Sequence, residues 1–150
     1  MLLFRQLFIR PIFVRNKSTG KLEILDWGFN GWGYDTPYKL DNTIPVGAAN
    51  QLKMKRVNLN DVVLEGGAVE IDGRGTLLAT RSAVLKNKRN PGMTEAEMES
   101  YMRKYMGITN VIWLEGGPGG KEDITDTHID GLARFGDPNT IVSMNRKQLK

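Results

Sequence analysis

The 150-residue chain contains one histidine, His128, with a carboxylate two residues away on each side, at Asp126 and Asp130. Alternate side chains of an extended backbone share a face. An extended Asp123–Gly131 segment would therefore gather Asp126, His128 and Asp130 on one face, with Thr127 and Ile129 on the other. An imidazole takes and gives protons near neutral pH, and a neighbouring carboxylate fixes its tautomer and raises its basicity. The bland alternative is a histidine satisfied in a turn or at a sheet edge.

Three chemistries can be tested against these residues. Glu122, Asp123, Asp126 and Asp130 with one histidine could at most form an oxygen-rich site for magnesium or calcium, and no EF-hand spacing is present. The glycine-rich Gly116–Lys121 stretch suggests phosphate binding. A P-loop, however, needs glycine where Glu115 stands and serine or threonine where Glu122 stands, so the pattern fails. The third chemistry is recognition of a planar cation such as a guanidinium, which two carboxylates can grip while a histidine protonates departing ammonia and activates water. Glu65, His128 and Asp130 are the right kinds of group, and their spacing leaves open whether they meet.

Composition narrows the class. Hydrophobic residues at 40% and charged residues at 25% fit one globular domain with a core, spanning 1–150, and 17 glycines suit a fold with many turns. The net charge of +4 is spread along the chain without a basic, aromatic-interleaved stripe, which argues against nucleic acid. The absence of cysteine removes disulfides, thiolate metal sites and a cysteine nucleophile from these residues. Arg5 and Arg10 interrupt the apolar opening before a signal-peptide core could form, and no stretch is long enough to span a bilayer, so a cytoplasmic protein is expected.

Several elements are legible. Pro11–Val14 and an alternating Leu22–Trp27 read as strands around a Ser18–Gly20 turn, followed by an aromatic and glycine-rich loop, Gly28–Tyr34, whose rings should pack. Val46–Met54 suggests a short helix, and Asp61–Glu65 an apolar run ending in an acid. Ala68–Asp72 and Thr76–Thr80 form a hairpin around Gly73-Arg74-Gly75, and the Gly66-Gly67 pair ahead of it suggests a bulge or a close backbone approach. Thr94 and Glu97 make a capping box for a helix with one buried stripe, Met98, Tyr101, Met102, Tyr105 and Met106, stopped by Gly107. Asn110–Glu115 reads as a strand, Gly116–Gly120 as a loop, Phe135–Pro138 as a turn, Thr140–Met144 as a last strand and Asn145–Lys150 as a fraying tail. Leu-Glu-Gly-Gly occurs twice, from Leu64 and from Leu114, the kind of echo that modular architectures leave. The whole is an α/β (α+β) pattern.

The ordered motifs Val63–Leu78, Asn87–Pro91, the capped helix, Val111–Leu114 and Asp126–Asp130, with Asp26–Gly33 upstream, resemble the agmatine deiminase family, which includes the bacterial-type peptidylarginine deiminases. The resemblance covers roughly Pro11 to Val142. It implies a partial pentein β/α-propeller of about two to three ββαβ modules, with exposed strand edges through which copies could pair. It implies hydrolysis of agmatine to N-carbamoylputrescine and ammonia, a step of putrescine and polyamine synthesis, with no metal or organic cofactor.

By the same resemblance a cysteine attacks the guanidinium carbon, His128 is the general acid and base, Glu65 is the acid near the histidine and a substrate ligand, and Asp130 grips the substrate. The resemblance also selects Glu65 over its echo Glu115. The family's cysteine falls beyond Lys150, and its first substrate-gripping aspartate falls near Phe8, where no acid stands. The chain is therefore expected to be a fragment that is inactive alone. Peptidyl arginine as substrate, or a non-catalytic module holding a cationic ligand or partner chain, are the alternatives.

Overall fold

The computed structural model describes residues 11–86, 88–117, 123–137 and 139–144. The expectations for residues 1–10, 118–122, 138 and the tail at 145–150 lie outside them. The chain divides into two units, one comprising Met1–Gly66 with Lys88–Asn90, the other Gly67–Asn87 with Pro91–Lys150.

In the first unit, β1 (Ile12–Arg15) pairs antiparallel with β2 (Leu22–Gly28), and β3 (Lys55–Val63) pairs parallel with the other edge of β2. Parallel neighbours require a crossover, here an irregular turn α1 (Gly31–Tyr34) and the helix α2 (Ile44–Leu52), which lies on β2 and β3. The expected alternation of β2 does not occur: every residue from Glu23 to Gly28 is buried, because a central strand is covered on both faces. Asp26, fully buried, is paired with Arg56 across the β2–β3 register. The aromatic loop packs as expected, with Phe29 and Trp32 buried edge to face at 5.0 Å beside Tyr38 and Ile44. Most of β3 escapes the sequence reading, because Lys55, Arg56, Asn58 and Asn60 mask the Val57–Leu59 alternation.

The second unit repeats the plan. β4 (Val69–Ile71) pairs antiparallel with β5 (Thr76–Thr80), and β6 (Asn110–Leu114) runs parallel on the other edge of β5. The crossover contains α3 (Arg81–Val84) and α4 (Glu95–Tyr101). A further hairpin of β7 (Ala133–Asp137) and β8 (Thr140–Ser143) follows. Two ββαβ modules and the opening strands of another are thus present, the partial α/β pentein-like fold that the motifs imply. Of the turn expected at Phe135–Pro138, the described residues Phe135–Asp137 are instead the end of β7, where Phe135 pairs with Ile141 and Asp137 with Thr140. In β8, Ile141 and Val142 are exposed. No described helix is long and apolar enough to cross a membrane.

The capping box is formed: the Thr94 hydroxyl accepts from the Glu97 amide at 3.2 Å, and Glu97 accepts from the Thr94 amide at 2.8 Å. Replacing Thr94 by alanine should cost about 1 kcal/mol in urea unfolding, read as a lower midpoint with an unchanged slope. The single buried stripe is only half realised. Met98 and Met102 are fully buried, but a π-helical turn over Met102–Met106 adds a residue to the turn and leaves Tyr101, Tyr105 and Met106 half-buried. Gly107 ends it at φ 71°, as the sequence suggests.

Candidate active site

The segment around His128 is not extended. Asp123 accepts hydrogen bonds from the Thr125 amide at 3.0 Å, the Thr125 hydroxyl and the Thr127 amide at 2.7 Å. Such local bonds outcompete a strand and curl the chain back over its own carboxylate. Asp126 and Thr127 take left-handed conformations (φ 56° and 69°), and a 3₁₀ turn over Ile129–Gly131 follows His128. Asp126 consequently leaves the face it was expected to share with His128 and ion-pairs with Lys86 at 3.1 Å.

His128 and Asp130, by contrast, meet at one point. A Cβ placed on Gly67 would lie 2.5 Å from His128 Nδ1 and 2.8 Å from Asp130 Oδ2, so any side chain there would displace both. The close approach expected from Gly66-Gly67 is real, and what passes is the imidazole with its aspartate. His128 is buried while Asp130 is exposed, so the carboxylate can be reached from solvent. Among the described residues no three His, Asp or Glu side chains gather into a metal-binding set.

Glu65 lies in the first unit, just past the end of β3, with its side chain 1% exposed. Arg89 donates to it through Nε at 2.9 Å and Nη2 at 3.4 Å. The short run around Arg89 is fastened on both sides. Lys88 accepts through its carbonyl from Asn30 Nδ2 at 2.7 Å, and the Asn90 amide group both accepts from and donates to the Val63 backbone, at 2.9 and 2.8 Å.

Glu115 holds the corresponding place after β6, so the Leu-Glu-Gly-Gly echo marks the end of the closing parallel strand in each module. The environments differ: the Glu115 side chain is 83% exposed and pairs with Arg81, which also binds Glu95. Arg89, Asn90 and Lys86 received no role from the sequence. The only hint was that Lys88-Arg89-Asn90 belongs to one of the resembling motifs.

Burial pushes the Asp123 carboxyl up, but the hydroxyl and amide donors of Thr125 and Thr127 outweigh it and hold the group below its ordinary value of 3.8. A carboxyl lowered by folding stabilises the folded form above its unfolded value, and this contribution is lost as pH falls through the folded value. Acidification below about pH 3.8 should therefore release the turn preceding His128. Amide resonances of Thr125 and Thr127, followed by NMR from pH 6 down to about 2, should shift together with a midpoint below that of a free aspartate.

The sequence model of the Porphyromonas-type peptidyl-arginine deiminase family matches residues 9–150. An agmatine deiminase of Pseudomonas aeruginosa is 33% identical over 137 residues, covering 88% of this chain and 36% of the relative. A solved agmatine deiminase of Enterococcus faecalis superposes with a TM-score of 0.83 at 30% identity, covering 95% of this chain and 40% of that one. An agmatine deiminase of C. jejuni solved with substrate bound gives 0.79 at 32% identity, covering 93% and 42%. The chain spans about 36% of the length of the first curated relative. Two ββαβ modules, a glycine that admits a histidine and an aspartate, and a match over nearly the whole sequence agree: the chain belongs to the Porphyromonas-type peptidyl-arginine deiminase family, together with the agmatine deiminases.

Proposed function

We propose that this chain supplies residues of a guanidine-hydrolysing site of the agmatine deiminase type, with His128 carrying protons and Glu65 and Asp130 as the carboxylates that hold the cationic substrate. The observation that carries the reading is the convergence of His128 Nδ1 and Asp130 Oδ2 on Gly67. A histidine beside an exposed carboxylate suits a planar cation, which can donate paired N–H bonds to the carboxylate while its carbon is attacked. Glu65 is an anion fixed by Arg89, which suits a residue that must keep its place and charge.

The reaction proposed is agmatine plus water to N-carbamoylputrescine plus ammonia, which would place the protein in putrescine formation in the cytoplasm. A thiolate attacks the guanidinium carbon, and the C–N bond to ammonia breaks as His128 delivers a proton. Water deprotonated by His128 then displaces the sulfur, leaving the new carbonyl and the free thiolate. No metal or organic cofactor enters this sequence of steps. The 150 residues hold no cysteine, so by themselves they provide no thiolate.

Purified chain mixed with agmatine should accordingly release no ammonia above blank, and steady release would overturn the assignment of a thiol mechanism. Calorimetry with agmatine, arginine and an arginine-containing peptide separates the remaining readings. Peptidyl arginine is the second reading, favoured by the family's description. Preferential binding of the peptide would support it, and micromolar binding of free cations without turnover would support a non-catalytic module.

A further inference from the structure

We propose that Thr80 and Ser82 are positioning residues for His128, their hydroxyls holding the left-handed Asp126–Thr127 turn that sets the imidazole against Gly67. The inference rests on the reading of His128 as the proton carrier. It begins from a conformational cost. Left-handed backbone is uncommon outside glycine and is worst for a β-branched residue. Two such residues in succession stand directly before His128, one of them a threonine. Something must hold them there.

Each of the two strained residues has its carbonyl taken by one hydroxyl. Thr80 Oγ1 donates to Thr127 O at 2.8 Å, and Ser82 Oγ donates to Asp126 O at 2.6 Å. Both donors are buried, Thr80 completely. Thr80 is also the N-cap of α3, its hydroxyl accepting from the Ala83 amide at 3.3 Å, so one oxygen starts the helix and anchors the turn. Lys86 adds its ion pair with Asp126, and from inside the turn Asp123 takes the Thr127 amide.

The second Leu-Glu-Gly-Gly echo makes room for this arrangement. A Cβ on Gly116 would fall 1.8 Å from Ser82 Oγ, and one on Gly117 would fall 2.4 Å from Thr127 Oγ1. In the first echo Gly67 admits His128 in the same way. The glycine pairs that the sequence repeats therefore bear on a single turn: Gly116 and Gly117 beside the residues that shape it, and Gly67 beside the ring that it presents. Without the hydroxyls the backbone at Asp126 and Thr127 can relax to negative φ, which redirects the chain into His128. The Thr80 and Ser82 side chains take no part in the β4–β5–β6 ladder, so the sheet itself should persist.

The single histidine makes the test direct, because the ring protons in an NMR spectrum of the full chain assign themselves. The unsubstituted chain should give cross-peaks between the His128 ring and the Gly67 α-protons. Thr80→Val and Ser82→Ala should lose them while the amide resonances of Leu77–Ala79 and Val111–Trp113 stay in place. Thr80→Ser, which keeps the hydroxyl, should retain them. Cross-peaks that survive in Ser82→Ala or Thr80→Val, or that vanish equally in Thr80→Ser, would overturn the proposal. Ring placement is read here without turnover, so the result stands apart from whether His128 is the proton carrier.

Discussion

Arg89→Met is expected to destabilise the first unit by about 3–5 kcal/mol, the usual cost of leaving one member of a buried ion pair without its partner. The Glu65 and Arg89 side chains are 1% and 0% exposed, so water cannot replace the lost donors. The double variant Arg89→Met, Glu65→Leu removes both charges and should regain most of the loss, since a buried pair exchanged for apolar groups is often near neutral. Urea unfolding followed by tryptophan fluorescence in a Trp113→Phe background reads this unit, because the two remaining rings, Trp27 and Trp32, lie in it. A single variant within about 1 kcal/mol of the unsubstituted chain would mean that Glu65 is satisfied without Arg89, contrary to the account given of its fixed charge.

The second large effect is on turnover. It needs a protein that holds a thiol, such as a hybrid in which residues 11–144 replace the matching segment of the Pseudomonas aeruginosa relative. In that hybrid His128→Asn should lower kcat by about 10²–10⁴, the usual contribution of a positioned proton donor and acceptor. Asparagine is close in size and polarity, so the Gly67 contact survives while proton transfer does not. Asp130→Asn should instead raise KM for agmatine, because a neutral amide grips a guanidinium less tightly than a carboxylate. A shared loss in kcat for both would merge the two roles proposed for them.

Much of this architecture was legible in the residues. The β4–β5 hairpin, the Thr94–Glu97 capping box and the Gly107 stop are local devices, and each appears where its residue types place it. The echo was also informative, since Glu65 and Glu115 follow the closing strands of equivalent modules. What the sequence concealed depended on tertiary partners or on side chains bonding to the backbone. Thr125, Thr127 and Ile129 look like strand residues, yet the Asp123 carboxylate gathers the Thr125 and Thr127 amides and turns the chain, separating Asp126 from His128. β2 lost its alternation because it is a central strand covered on both faces, and nothing local to Leu22–Gly28 announces that position. Arg89 could not be singled out among the arginines, because its partner lies 24 positions away and burial alone distinguishes the pair.

The role given to His128 is tested most directly by ammonia release from agmatine by the folded hybrid, measured with and without His128→Asn. Steady release by the hybrid, falling by about two orders of magnitude or more in the variant, is the expected result. A folded hybrid that releases no ammonia, or one whose release survives the loss of His128, would contradict the account.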